Sequence, residues 1–321
     1  MSRTNHPLTN QPLPVFRRAS RPERNAALGG LLAFLLGACA SDGTPLPADP
    51  AAADRAAQAE ARVIEKLAAE RPIAAGQSPW LEELTSLEVR DAIATGTTTV
   101  IIPTGGIEEN GPFLSTGKHN VILEGACPAI VEALGNALCA PIVKFVPEGN
   151  IDPPTGSMRF PGTISLQAAT YEALLDDIAS SLAQAGFTDV VLIGDSGGNQ
   201  TGMANVAEAL TERWAGSGRR AHFIRAFYDP GWVATEQYTE RELGVAETRH
   251  DGHHDDIWVT AMMMVTDPAQ VRLEQRVDAN LASINGIAIT PLEDTVELGR
   301  QMIAFRAALT ADAIRAAIEA R

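Results

Sequence analysis

Cysteine, histidine, aromatic residues and positive charge are all scarce in this chain. It has 3 cysteines, 6 histidines and 5% aromatic residues over a length of 321. So few cysteines exclude the disulfide framework that holds small secreted domains together. Lys and Arg number 25 against 40 Asp and Glu, a formal net charge of −15. That deficit excludes nucleic acid as a partner, because phosphate binding needs a basic surface. No apolar run approaches the roughly 18–20 residues of a membrane-spanning helix, and no segment repeats. What remains is an acidic globular protein, long enough for one large domain or two small ones.

The start of the chain departs from this acidic balance. Arg3, Arg17, Arg18, Arg21 and Arg24 precede the short apolar run "NAALGGLLAFLLGAC". A basic region, an apolar region and a small-residue cleavage site have the form of a secretory signal. The ending "LGAC" resembles the lipobox of bacterial lipoproteins, in which the cysteine, here Cys39, carries the lipid. The expectation is a signal peptide over residues 1–38, then Cys39, a tether and an Ala-rich helix over 39–77, and a catalytic domain over 78–321. Ala40 and Ser41, with no Asp directly after Cys39, point to the periplasmic face of the outer membrane, so that contact with a membrane is through the lipid alone. Cys127 falls in an expected helix and Cys139 in an expected strand, which reads as two buried thiols.

From residue 78 onward, apolar strand-like runs alternate with helix-like stretches. "TTTVIIPTGG", "CAPIVKFVPEG", "DVVLIGD" and "AHFIRAF" read as strands. "LTSLEVRDAIATG", opening on a Thr85–Glu88 capping box, "VILEGACPAIVEALG", "LQAATYEALLDDIASSLAQAG", "NVAEALTERWAG" and "DDIWVTAMMMV" read as helices, and "DTVELGRQMIAFRAALTADAIRAAIEA" as a closing helix or pair. The pattern predicts an α/β fold, a three-layer α/β/α sandwich around a mostly parallel sheet. In such sheets the active site lies beyond the carboxyl ends of the strands.

Three polar stretches fall there: "GGIEENGPFLSTGKHN", "GDSGGN" and "TRHDGHHDDIW". They hold His119, His250, His253 and His254, with the carboxylates Glu108, Glu109, Asp195, Asp251, Asp255 and Asp256 beside them. Imidazole and carboxylate converging on a strand-end crevice suit Zn or Mn. "GDSGGN" lies between a strand and a helix, and three readings of it stand open: a nucleophile elbow with Ser196 as nucleophile, a backbone cradle for an anion built by Gly197 and Gly198, or a turn with Ser196 or Asn199 capping the helix.

Four motifs taken in order resemble the creatininase (creatinine amidohydrolase) family. "IPTGGIEENGPFLSTGKHN" is similar to its opening, a strand followed by Glu-x-His-Gly-Pro-His-Leu and an Asp. "FPGTISL" resembles a second signature; "GDSGGN" falls where the family has Asn-Gly-His-Gly-Gly-Asn, and "HDGHHDD" where it has His-Ala-Gly-Glu-x-Glu-Thr. The resemblance implies a metal-dependent hydrolase of a small cyclic amide or other non-peptide C–N bond, two divalent metals, and a homo-hexamer. Carried over residue by residue, Glu108 keeps a ligand position and His250 that of a proton shuttle. Asn110 and Ser196 replace ligand histidines, His119 replaces the bridging Asp, and Asp255 replaces a ligand Glu. An imidazole does not ordinarily bridge two cations. The expectation is therefore one Zn or Mn per chain, held by Glu108, His119 and Asp255 with Asp195 or His253 as a fourth ligand. A binding lipoprotein without catalysis and a serine hydrolase built on Ser196 and His250 are the alternatives.

Overall fold

The computed structural model describes residues 50–250 and 252–320. The expected signal peptide, Cys39 and the expected tether up to residue 49 lie outside the described residues, as does Asp251. Helix α1 (Pro50–Ala68) is the Ala-rich segment, and the side chains described along it are exposed. Among the described residues no helix is long and apolar enough to cross a membrane.

Helix α2 (Ser86–Ala94) starts on the expected capping box, with the Thr85 side chain accepting from the Glu88 N–H and the Glu88 carboxylate from the Thr85 N–H. Then follow β1 (Thr99–Thr104), α3 (Lys118–Leu134), β2 (Ala137–Cys139), α4 (Ala168–Ala185), β3 (Asp189–Gly194), α5 (Gln200–Arg213) and β4 (Arg220–Phe223). The four strands form one parallel sheet in the order β2-β1-β3-β4. After them come α6 (Gly231–Arg241), α7 (Ile257–Thr266), α8 (Leu273–Asp278), a small antiparallel pair β5 (Ser283–Ile284) and β6 (Ile287–Ala288), and α9 (Leu292–Glu319). The closing segment is one 28-residue helix rather than a pair.

Every residue of β1 and β3 is buried, as a parallel sheet covered on both faces requires. Alternate residues point to opposite faces. Val100, Ile102, Val190 and Leu192 pack with Tyr171, Leu175 and Leu182 of α4, Met203 and Leu210 of α5, and Val89 and Ile93 of α2. On the other face Ile101, Val191 and Ile193 pack with Leu123, Ala126 and Ile130 of α3 and Ala307, Ala311 and Ile314 of α9. This is the expected three-layer sandwich. A third cluster joins Trp258, Met262 and Met263 of α7 to Val121 and Ile122 of α3 and Met302 and Ile303 of α9. It brings the segment before α7 to the same end of the sheet as the loop before α3.

Two expectations are corrected. "CAPIVKFVPEG" is not one strand: the ladder ends at Cys139, and only isolated bridges continue it, Thr104 with Val143 and Val146 with Ser165. Pro141 and Pro147 have no N–H to give, so an unbroken ladder cannot run through this segment. Cys127 and Cys139 are not two thiols but a disulfide, with Cα atoms 6.2 Å apart. Both side chains lie on the face of the sheet covered by α3, fully buried, so the helix and strand that separate them in sequence bring them together in space.

Candidate active site

Strand β1 ends at Thr104 and the chain turns through Gly105 and Gly106 to Glu108. A side chain at either glycine would displace a neighbouring polar side chain. A Cβ on Gly105 would lie 2.0 Å from Asn120 Oδ1, and one on Gly106 would lie 2.1 Å from Glu148 Oε1. The loop closes on itself when the Glu108 N–H donates to Thr116 O at 3.0 Å. Asn110 belongs to this closure, its Nδ2 donating to Glu108 O at 2.9 Å. Helix α3 then begins with Lys118, His119 and Asn120, all buried.

Next to β1 in the sheet, β3 ends at Gly194 and delivers Asp195 and Ser196. The "GDSGGN" stretch is the expected strand–turn–helix. Ser196 accepts from the Gly198 N–H, as a cap would, and its Oγ donates to Glu148 Oε2 at 3.1 Å. Gly198 is a point of close approach, since a Cβ there would meet Pro147 O at 1.8 Å. Gly197 lies under Tyr228, and Asn199 ties the turn to β1 by donating to Thr104 Oγ1 at 2.7 Å and Gly105 O at 3.1 Å.

The centre of the site is a buried chain of polar contacts. His119 joins Asp195 Oδ2 through Nδ1 at 2.7 Å and Glu108 Oε1 through Nε2 at 2.8 Å. The other Asp195 oxygen accepts from Arg306 of α9 at 2.7 Å and from Trp232 Nε1 of α6 at 3.3 Å. Ser157 donates to Glu108 Oε2 at 2.8 Å. Lys118 Nζ stands 3.6 Å from Glu108 Oε1 and 5.4 Å from the centre of the Trp232 ring, fully buried. Among the described residues it has no hydrogen-bond partner, and neither does Glu148 Oε1. Glu108, His119 and Glu148 each offer one ligand atom within 4.8 Å of the others, a geometry that could hold a metal ion.

Charge compensation decides the protonation states. Burial pushes the Glu108 carboxyl up, but His119, His254 and Lys118 together hold it well below the usual carboxylate range. For Asp195 the penalty of burial is outweighed by Arg306 and His119, so it too is held low. Glu148 has weaker compensation. Burial and the nearby Glu108 charge push it up to about 7. His119 is disfavoured as a cation by burial and by Lys118, yet Asp195 and Glu108 raise it overall. Burial lowers Lys118 against the pull of Glu108, Asp195 and Glu148.

Of the residues singled out from sequence, Glu108, His119, Asp195 and Ser196 converge here. Asp255 is buried elsewhere, beside a cavity of about 280 Å³ lined also by Phe113, Arg249, Arg276 and Asn285. His253 lies 3.9 Å from Glu109, and His254 lies 3.8 Å from Glu108 Oε1. His250 is exposed and pairs with Asp256 at 3.2 Å, with Glu247 alongside. Sequence reasoning passed over Glu148, Lys118, Arg306 and Trp232. Glu148 carried the one available signal, an acid at the end of an apolar run that approaches the sheet.

The family model described as "Creatininase: Creatinine amidohydrolase" matches residues 82–313. A creatinine amidohydrolase of Pseudomonas putida is 26% identical over 223 residues, 68% of this chain and 83% of that protein. A mycofactocin precursor peptide peptidase of Mycolicibacterium smegmatis is 26% identical over 190 residues, 58% of this chain and 64% of that one. Among solved structures, a mutant creatininase of Zn-Zn type superposes with a TM-score of 0.55 and 23% identity, covering 75% of this chain and 99% of that one.

Proposed function

From the premise that this chain belongs to the creatininase family, we propose that it is a hydrolase of a small, non-peptide amide, cyclic or open, working with one divalent metal. Members of the family are amidohydrolases, and the named relatives act on C–N bonds. The observation that carries the reading is the buried Glu108–His119–Glu148 set beyond the ends of β1 and β3.

The donors fit such an ion. One imidazole and two carboxylates match the preferences of Zn and Mn. Glu148 Oε1 is a buried acceptor with nothing to accept from among the described residues. Asp195 receives His119 Nδ1 and so aims Nε2 into the set, the arrangement by which a carboxylate orients a ligating histidine. Both Asp195 oxygens are thereby engaged, which makes it a positioning group rather than a fourth ligand. A divalent ion held there supplies Lewis acidity toward an amide carbonyl.

The remaining roles belong to side chains around that set. Ser157 and Ser196 orient the second oxygens of Glu108 and Glu148. We assign the proton for the leaving nitrogen to the loop histidines, with His254 the nearer to Glu108 and His250 held by Asp256. The Ser196 hydroxyl is engaged with Glu148, while His250 pairs with Asp256, which favours the metal reading over a serine hydrolase. For localisation, the Cys127–Cys139 disulfide supports export to an oxidising compartment, in keeping with a lipid on Cys39.

A screen of the purified protein, loaded with Zn or Mn, against cyclic amides and formamides tests the activity. Hydrolysis abolished by a chelator and restored by metal is expected. Bound metal without hydrolysis of any amide would instead make it a binding lipoprotein. Labelled fatty acid incorporated by the wild type and lost in Cys39→Ala tests the anchor.

A further inference from the structure

The site carries more positive charge of its own than a metal centre needs. Glu108, Glu148 and Asp195 are its carboxylates, and Lys118 and Arg306 stand among them with both side chains fully buried. Arg306 is accounted for, since it donates to Asp195 Oδ1 and to the Phe227 carbonyl. Lys118 is not. Its ammonium is 3.6 Å from Glu108 Oε1, has no hydrogen-bond partner among the described residues, and lies in the first turn of α3. A cation is disfavoured at a helix N-terminus by the macrodipole, and burial removes its hydration. The surrounding carboxylates and the face of the Trp232 ring hold it there.

Among the described residues, the carboxylate oxygens that a second ion would need are already hydrogen-bonded. Asp195, which faces His119 from the far side, has both oxygens taken. The outer oxygens of Glu108 and Glu148 already accept from Ser157 and Ser196. With one divalent ion the carboxylates are nearly balanced, given the two fixed cations. A second divalent ion would leave a large uncompensated positive charge in a buried site.

We propose that Lys118 is the second cation of this site, a fixed ammonium standing in the electrostatic place of a second metal ion. It limits loading to one ion and weakens the binding of that ion by direct repulsion. Its unshared N–H donors then face the same carboxylate cluster as the ion. The inference rests on the metal-binding reading above but is tested apart from activity.

The test is a titration of the metal-free full-length protein with Zn and with Mn, followed by calorimetry and elemental analysis, for the wild type and for Lys118→Met. The methionine keeps an unbranched chain, shorter than lysine by its terminal atom, and removes the charge. The wild type should take one ion per chain, and Lys118→Met should bind that ion about tenfold or more tightly, the scale on which groups next to a metal's ligands act. Lys118→Gln, of the same reach as methionine but able to hydrogen-bond, should do the same if the methionine variant does not fold. Two ions per chain in the wild type, or unchanged or weaker affinity in a folded variant, would overturn the proposal. Metal bound by the variant but not by the wild type would overturn it too, because the wild type is expected to hold one ion.

Discussion

Asp195→Asn tests the architecture of the site at its most connected residue. Asp195 is fully buried and accepts from His119, Arg306 and Trp232. The asparagine has nearly the same shape, but one of its two acceptors becomes a donor. If its oxygen keeps Arg306 and Trp232, its NH2 faces His119 Nδ1. His119 must then accept at Nδ1 and carry its proton at Nε2, turned toward Glu108, with no lone pair left for a metal. If the amide is reversed, the NH2 meets the Arg306 guanidinium, donor against donor. Either way Arg306 stays buried beside a neutral partner. Breaking a buried ion pair from one side costs about 3–5 kcal/mol. At about 2–4 °C per kcal/mol for a domain of this size, the melting temperature should fall by roughly 6–20 °C. Metal affinity should fall about 10- to 100-fold, as it does when the carboxylate behind a ligating histidine is lost. Calorimetric melting and a Zn titration on the same preparation read both numbers. Adding Arg306→Met should recover stability, because an apolar replacement of a whole buried pair is often neutral, but should not recover affinity. A variant that melts with the wild type and binds Zn equally well would refute the assignment of Asp195.

Loss of the disulfide in Cys127→Ser should cost about 3 kcal/mol by the loop-closure argument, given the separation of 12 residues, and denaturant melts with and without reductant should converge on the variant. The Glu88 carboxyl is lowered to about 2 by hydrogen bonds from the Gly76 N–H and from Thr85. Its folded pKa lies below the unfolded value, so its contribution is complete above about pH 4.5 and is lost as pH falls toward 2. Glu88→Gln should flatten the acid limb of the melting profile in that window, and an unchanged profile would remove the capping box from the account. Ser196→Ala should keep the metal and much of the activity, whereas covalent labelling of Ser196 by a serine-directed reagent in metal-free protein would revive the nucleophile reading.

The sandwich was legible in sequence because its signals are local. Buried runs such as "TVIIPT" and "DVVLIG" need no partner to be recognised, and the Thr85–Glu88 cap is complete within four residues. Glu108, His119, Asp195 and Ser196 were legible for a related reason: the carboxyl end of a parallel strand is a known place in the fold. The rest depends on contacts that no local pattern encodes. Arg306 reaches Asp195 across 111 residues from the middle of a helix that reads as ordinary and amphipathic. Lys118 looks like a surface lysine until α3 is docked. Glu148 follows a segment whose prolines break the ladder, so its position at the sheet end appears only when the loop closes over Gly106 and Gly198. The disulfide was misread because a helix and a strand give no hint of their mutual distance.

The central claim is that one divalent ion sits between Glu108, His119 and Glu148. Anomalous scattering from crystals of the Zn- or Mn-loaded protein, collected on either side of the metal's absorption edge, tests it most directly. A single peak per chain is expected within bonding distance of Glu108 Oε1, His119 Nε2 and a Glu148 oxygen. A peak lying instead among Glu247, His250 and Asp256, the other group of suitable side chains among the described residues, or no peak at all in loaded crystals, would contradict it.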